Sequence, residues 1–539
     1  MKGQMNTLRQ ALSRPARTQK ERDVQAAIRS VWDREGKPPL TREAKRHVTV
    51  SAMVVNPAMD KILMVRHNLY NAYTWPGGHA DGEEDLLAAA LREVREETGA
   101  ERVYPLCSTP LAFDILPVPA HEKRGRPVAA HEHYNVTYAC LAPDKQPLRV
   151  KADENSAVAW IAADRMDETC REAHMLPLYK RCYERIHSLM QEKEARCGLL
   201  PDVLLLWYDG AARDLPWRKD RDPYHVWLSE IMLQQTRVEA VKGYYERFLA
   251  ELPTIEKLAS VPQEWLLKLW EGLGYYTRAK NLQKAARTVV REYDGRFPQE
   301  YEAIAHLPGV GPYTAGAIAS ICFEQPEPAV DGNVLRVLAR ILEIFAPVDT
   351  PAVKKQATEW LRRVYPRGKC GAFTQSLMEL GATVCLPNGQ PRCESCPARG
   401  FCMAYENGTV EELPRRSPKR ERRIEKRTVL ILLHEGRVAL RRRGEGGLLG
   451  GLWEFPNMEG ELDENEALQT AADWGTEPYE LIKRVGKKHI FTHVEWHMTG
   501  YYIRCRRAAE PFTWAGPQQL EGEIALPTAF AIFKDEIKY

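Results

Sequence analysis

Apolar residues recur with two different periods along this chain, and the change of period divides it. Between residue 48 and about residue 190, strand-like runs (VTVSAMVV, KILMVRH, HYNVTYACL) surround one strong helical pattern. From about residue 198 to residue 405 the spacing is helical almost throughout, with short Gly/Pro turns. From residue 428 onward strands return (TVLILL, RVALRRR, HMTGYYIRC). The pattern predicts α+β, then all-α, then α+β. A chain of 539 residues is too long for one core, and length alone suggests roughly three or four domains.

The outer segments look like copies of one another. RHNLYNAYTWPGGHADGEEDLLAAALREVREETGA and RRRGEGGLLGGLWEFPNMEGELDENEALQTAADWG both run strand, loop, Trp and Pro, acidic loop, helix. They part at the chemistry: Asn457-Met458 stands in place of Gly77-Gly78, and the second helix lacks the glutamates of the first. One copy reads as an enzyme, the other as a former enzyme kept for binding.

Net charge is only +3, so overall charge does not announce a nucleic-acid binder. One local run does stand out: Arg415 to Arg427 holds eight Lys or Arg and two Glu. It reads as a solvated linker that also suits a phosphate backbone. No apolar run is long enough to cross a bilayer and no apolar leader is visible, so a cytoplasmic protein without a membrane partner is expected. There, four clustered cysteines among the twelve (Cys385, Cys393, Cys396 and Cys402) suit a metal or cluster better than disulfides.

In REVREETG, Leu87, Leu91 and Val94 mark a core-facing stripe, with Glu93, Glu96 and Glu97 on the other side. Three carboxylates on one face repel each other unless a cation sits among them, and oxygen ligands suit Mg²⁺ or Mn²⁺. Gly78, five residues, Glu84, seven residues, Arg92-Glu93-Val94, one residue, Glu96-Glu97, one residue and Gly99 make a complete Nudix box. The segment therefore resembles Nudix hydrolases. The resemblance implies metal-assisted hydrolysis of a nucleotide-type pyrophosphate; 8-oxo-dGTP as the first candidate rests on what the rest of the chain resembles, not on the box. The resemblance also implies Glu93, Glu96 and Glu97 as metal ligands with the Gly77 carbonyl beside them, and Arg92 and Glu84 as supports of the helix. Ala100 stands where the box usually has a larger aliphatic residue. His131 and His133, in a long insert over residues 116–136, are expected to touch substrate or simply to face solvent.

In the helical middle, HLPGVGPYTAGAIAS reads as helix, glycine turn, helix, with Gly309 and Gly311 allowing close approach to a phosphate. Asp331 precedes a clean helical face and suits an N-cap. Together with LPWR, WLSEIMLQQT and GLGYYTRAKN, these stretches resemble the MutY-type adenine glycosylases of the helix–hairpin–helix superfamily, and the four cysteines resemble their 4Fe–4S loop. Seven residues separate Cys385 from Cys393 where that pattern has six, which keeps zinc as an alternative. The resemblance implies excision of adenine opposite 8-oxoguanine or guanine in double-stranded DNA. Glu230 would be the acid and Asp331 the stabiliser of sugar charge. Gln235 and Tyr276 would wedge into the duplex, and Gly309 and Gly311 would hold phosphate. Tyr313 stands where endonuclease III-type lyases carry the Schiff-base lysine. The C-terminal copy resembles the Nudix-like domain that reads 8-oxoguanine, with Thr492 and His493 at the reading position.

The expected layout is a multidomain monomer. It has a helical extension over 1–45, a Nudix domain over 46–195, the glycosylase over 198–405, a basic linker over 406–427 and a degenerate Nudix-like domain over 428–539. The alternatives are an endonuclease III-like lyase acting on oxidised pyrimidines, with the N-terminal domain a docking module, and a non-catalytic DNA-binding scaffold.

Overall fold

The computed structural model describes residues 7–42, 46–123, 126–418 and 421–537. Parts of the expected N-terminal extension, of the 116–136 insert and of the basic run therefore lie outside the described residues. The chain forms two compact units, Met1–Ala212 with Val330–Ser417 and Arg213–Ala329 with Pro418–Tyr539. The stretch expected as one all-α domain over 198–405 contributes a helical lobe to each.

In the first unit an eight-stranded mixed sheet is built around two parallel strands, Arg46–Val55 and His131–Leu141. The even positions of the first strand (Val48, Val50, Ala52, Val54) pack with Leu87, Leu91 and Val94 of helix Leu86–Thr98, while Met53 and Val55 join a second core on the opposite face. The helix starts at Asp85, whose carboxylate accepts from Ala88 N–H, and stops at Gly99 in the left-handed region at φ +67°. The N-terminal helices Leu8–Ser13 and Gln19–Glu35 bury Leu8, Leu12, Val24 and Ile28 in that same core. The boundary expected at 195–198 falls inside one continuous helix, Leu176–Gly198.

That helix brings a lysine into the interior. Lys193 Nζ donates to the carbonyls of Leu106 (2.7 Å), Leu342 (2.6 Å) and Glu343 (3.2 Å). The Glu343 carboxylate is fully buried and accepts from Ser108 Oγ (2.7 Å), Thr409 Oγ1 (2.9 Å) and Asn407 Nδ2 (2.9 Å). One polar knot thus joins the sheet domain, the end of helix Gly332–Ile341 and the segment after the cysteine loop.

The second unit holds the helices from Pro223–Leu233 to Pro312–Phe323 and a seven-stranded sheet. That sheet repeats the first: Arg423–His434 runs parallel to Val494–Cys505 and antiparallel to Asn457–Glu459, as Arg46–Val55 does to His131–Leu141 and Gly77–His79. Register equates Thr49 with Arg427, because each lies opposite the last residue of its short strand, His79 and Glu459. The linker expected to reach residue 427 ends earlier. The strand begins at Arg423, since pairing with Val494 draws the basic residues into the sheet and Arg427 stacks on Trp496. Among the described residues no helix is long and apolar enough to cross a membrane.

Replacing Glu343 by Ala leaves Lys193 buried without its counter-charge, and we expect a loss of roughly 3–5 kcal/mol, read by chemical denaturation followed by circular dichroism. A change under 1 kcal/mol would remove the knot from the stability of the first unit.

Candidate active sites

Helix Pro223–Leu233 is apolar nearly all round and buries Val226, Trp227, Leu228, Ile231 and Met232. Glu230 is buried among them, and Tyr313 Oη donates to its Oε2 at 2.5 Å. Tyr313, placed by the resemblance among DNA-facing positions and standing where lyases carry their lysine, thus touches the candidate acid itself. It sits in the first turn of helix Pro312–Phe323, behind the Gly309–Gly311 turn. Gly309 has φ +76°, and a Cβ there would stand 2.6 Å from Asn281 Cβ; a Cβ on Gly311 would meet nothing within 4 Å. The turn is tight on one side and open on the other.

Gln235 lies in the left-handed region at φ +59°, just past helix Pro223–Leu233. A residue that sequence reasoning overlooked shapes this turn. Arg278 Nη1 donates to the carbonyls of Ile231 (2.8 Å), Met232 (3.1 Å) and Gln234 (2.6 Å), and Nη2 donates to Leu273 O (2.9 Å) and Gly274 O (3.2 Å). Burial lowers its pKa to about 10. The signal was present in the run GLGYYTRAKN, but an arginine at a helix start reads as a surface charge.

The same loop corrects the expected wedge. Tyr276 is 4% exposed and packs inward at the start of helix Thr277–Glu292, whereas Tyr275, at φ +47°, is 49% exposed. In this conformation the aromatic ring available to a duplex is that of Tyr275. Its hydroxyl lies 3.3 Å from Thr492 Oγ1. Thr492 and His493 are exposed at the turn between strands Pro478–Ile490 and Val494–Cys505. His493 also lines a cleft with Arg423, Arg427, Arg443, Glu459 and Trp496.

In the first unit, Asp331 caps helix Gly332–Ile341: Oδ1 accepts from Val334 N–H and Oδ2 from Asn333 Nδ2, both at 2.7 Å. Burial still pushes its pKa above the ordinary carboxylate value, against those hydrogen bonds. Asn333 Oδ1 in turn accepts from Arg336 Nη2 (2.8 Å), which also donates to Gly381 O (2.7 Å), while Arg336 Nε donates to Cys385 O (2.7 Å). One turn on, Arg340 Nη1 reaches Cys385 Sγ (3.3 Å) and Leu386 O (3.0 Å), and its Nε reaches Val410 O (3.0 Å) and Leu413 O (2.9 Å). These two buried arginines tie the capped helix to the cysteine loop. Helical spacing alone would have placed them at the surface.

All four cysteines of the loop are free thiols and half-buried. Burial pushes Cys396 up to about 11 and Cys402 up to about 12, so without a bound cation both hold their protons at neutral pH. Between the first two cysteines Pro387-Asn388-Gly389 forms a bend, with Gly389 at φ +73°.

In the Nudix box, Glu93 and Glu97 are buried rather than solvated, and only Glu96 is exposed. Glu97 Oε2 accepts from Gly77 N–H at 3.1 Å. A Cβ on Gly78 would stand 2.5 Å from the Glu93 carboxyl carbon, so only glycine admits that carboxylate against the strand. Burial, with Glu93 adding its like charge, raises Glu97 to about 8, and burial raises Glu93 as well. Arg92 donates to Glu93 (2.7 Å), to Glu83 (3.2 Å) and to His79 O (3.3 Å). Of the two residues expected to support the helix, Arg92 pairs with Glu83, while Glu84 is exposed. Burial and the neighbouring imidazoles of His79, His47 and His131 lower His133 to about 3.

Comparison with known proteins finds three family matches along the chain. Residues 228–363 match the model of the HhH-GPD superfamily base excision DNA repair proteins, and residues 45–182 and 428–535 each match a NUDIX domain. The adenine DNA glycosylase of Rattus norvegicus is 36% identical over 350 residues, 54% of this chain and 68% of that protein. The adenine DNA glycosylase of Mus musculus is 37% identical over 398 residues, 62% of this chain and 77% of that protein. The adenine DNA glycosylase of Buchnera aphidicola subsp. Baizongia pistaciae is 34% identical over 303 residues, 56% of this chain and 83% of that protein. With identity at this level over more than two thirds of these relatives, the chain belongs to the adenine DNA glycosylase family of base excision repair and carries Nudix domains at both ends.

Proposed function

We propose that this adenine glycosylase removes adenine paired with 8-oxoguanine or guanine, without cutting the strand, and that its N-terminal domain is a working pyrophosphohydrolase. The observation that carries the first reading is the buried Glu230 with Tyr313 donating to it. An adenine must leave the stack before its glycosidic bond can be reached. A carboxyl among apolar side chains favours its protonated form. Glu230 then protonates ring nitrogen seven of the extruded adenine, and the base departs as a better leaving group. Tyr313 fixes the carboxyl and offers no amine for an imine, which favours hydrolysis over lyase chemistry. Asp331, held by Val334 N–H and Asn333, carries the counter-charge for the sugar cation, and water completes the exchange.

Thr492 and His493 supply hydroxyl and imidazole groups for the base opposite the adenine. Glu230→Gln should lower adenine release by about a hundredfold or more while duplex affinity persists, measured as excised base and as binding on A:8-oxoguanine and A:G substrates. In the same assay, Thr492→Ala with His493→Ala should cost about 1–3 kcal/mol of the preference for 8-oxoguanine. Release of oxidised pyrimidines alone would favour the endonuclease III-like alternative.

The cysteine loop suits a 4Fe–4S cluster: four free thiols beside the guanidinium of Arg340 match the soft-ligand chemistry of iron and sulfide. The bound cluster would order the loop rather than take part in hydrolysis. The purified chain should contain iron and acid-labile sulfide in near-equal amounts, and Arg340→Ala should lower both. Stoichiometric zinc without sulfide would assign the loop to zinc.

For the N-terminal domain the supporting observation is the pair of buried carboxylates, Glu93 and Glu97, whose pKa values burial raises. A bound Mg²⁺ or Mn²⁺ would offset their repulsion and activate water toward a pyrophosphate. Because Glu97 must lose a proton to ligate, metal affinity should rise as pH climbs through about 8. Glu97→Gln should abolish hydrolysis across a nucleotide panel that includes 8-oxo-dGTP, read as 8-oxo-dGMP and pyrophosphate, and ADP-ribose, read as AMP and ribose 5-phosphate. Hydrolysis of ADP-ribose far faster than 8-oxo-dGTP would keep the enzyme and remove the precursor-cleansing role; no hydrolysis with either metal would make the domain a docking module.

A further inference from the structure

Three histidines that neither reaction uses lie together in the first sheet. Strand register alone brings them there. His47 pairs with His133 across the parallel strands, and His79 pairs with Thr49, two residues along from His47 and on the same face. The ring centroids are 5.0 Å apart for His47–His79, 4.7 Å for His47–His133 and 5.0 Å for His79–His133. One ring nitrogen from each lies within 4.8 Å of the other two. A fourth imidazole stands at the edge, with His131 Nε2 3.0 Å from His133 Nε2. His131 also lines a neighbouring cleft with Tyr70, Val118 and His174.

This group is distinct from the carboxylate set. Gly78 faces Glu93, so the next residue, His79, points to the other face of the sheet, the side of Thr49 and Ser51. Below the histidines that face carries a closed polar row: Thr49 Oγ1 and Ser51 Oγ donate to Asn135 Oδ1 (3.1 and 2.9 Å), and Asn135 Nδ2 donates to Thr137 Oγ1 (3.0 Å).

The C-terminal copy shows what the same three places become without histidine. Its register equivalents of His47, His79 and His133 are Glu425, Glu459 and Trp496. Trp496 Nε1 donates to Glu425 Oε2 (2.9 Å), and Arg427 pairs with Glu459 (3.2 Å). There the protein closes the position with its own donors, acceptors and charges; in the N-terminal copy it converges three nitrogen bases.

The geometry points to a binding site for a nitrogen-preferring divalent transition ion of the zinc class, held by His47, His79 and His133. Imidazole nitrogens suit Zn²⁺, Cu²⁺ and Ni²⁺, whereas Mg²⁺ prefers oxygen. Three protein ligands leave a tetrahedral ion one open position. The site does not depend on the pyrophosphohydrolase reading, because it uses none of the box glutamates.

The test uses the full chain, freed of metal by a chelator and dialysed against Zn²⁺ with Mg²⁺ in excess. Wild type should hold one more zinc per chain than His133→Ala or His47→Ala, and Glu97→Gln should match wild type. Wild type loaded with Cu²⁺ should give an electron paramagnetic resonance spectrum with imidazole nitrogen splitting, a readout that needs no variant to fold. Equal zinc in wild type and His133→Ala, or a copper spectrum of oxygen ligands only, would overturn the site.

Discussion

The buried charges of Lys193 and Glu343 set one end of helix Gly332–Ile341, which carries the candidate counter-ion Asp331 at its other end. Lys193 holds the carbonyls at the C-terminal end of Gly332–Ile341, where helix geometry leaves acceptors without internal partners. The opposite end is capped by Asp331. Between them Arg336 and Arg340 hold the cysteine loop. A single helix therefore carries the candidate counter-ion and the grip on the loop, and it is anchored through a lysine that belongs by sequence to the preceding domain. This explains why the first compact unit joins a Nudix fold to residues 330–417 rather than following the order of the chain.

The two Nudix copies share strand order and register yet differ in how they treat buried charge. The N-terminal copy leaves like charges and like bases together: Glu93 with Glu97, and His47 with His79 and His133. The C-terminal copy pairs its charge instead, with the buried Arg427 over Trp496 and against the exposed Glu459. A fold can keep its backbone through such a change because the register is set by the alternating apolar faces, which both copies retain.

Much of this organisation was legible in the sequence because it rests on short-range spacing. The box, the cysteine run, the quoted strands and the N-cap at Asp331 are local patterns. What escaped depends on contacts between residues far apart in the chain. Arg278, Arg336 and Arg340 look like solvated charges until the carbonyls they collect are known. Tyr275 and Tyr276 are adjacent, and only the left-handed turn at residue 275 decides which ring faces out. Glu83 and Glu84 pose the same problem at a helix entrance. The long strand Pro478–Ile490 gave no apolar run because it is a half-exposed edge strand rich in Lys and Arg, a composition that guards an edge. The histidine group needed the parallel register of strands some eighty residues apart.

The contact between Tyr275 and Thr492 sets a condition on the proposed reading of the opposing base. In the DNA-free state each hydroxyl already has a partner in the other. A duplex contact that takes the shared donor or lone pair replaces an existing bond of about 1 kcal/mol, whereas the second O–H and the remaining lone pairs stay open to new partners. Where it applies, that debit is the same for every duplex, so it lowers affinity for undamaged and damaged DNA alike. Discrimination can come only from the difference between what two opposing bases return. A weak internal latch of this kind raises the threshold for stable engagement while leaving the ratio between competing sites unchanged.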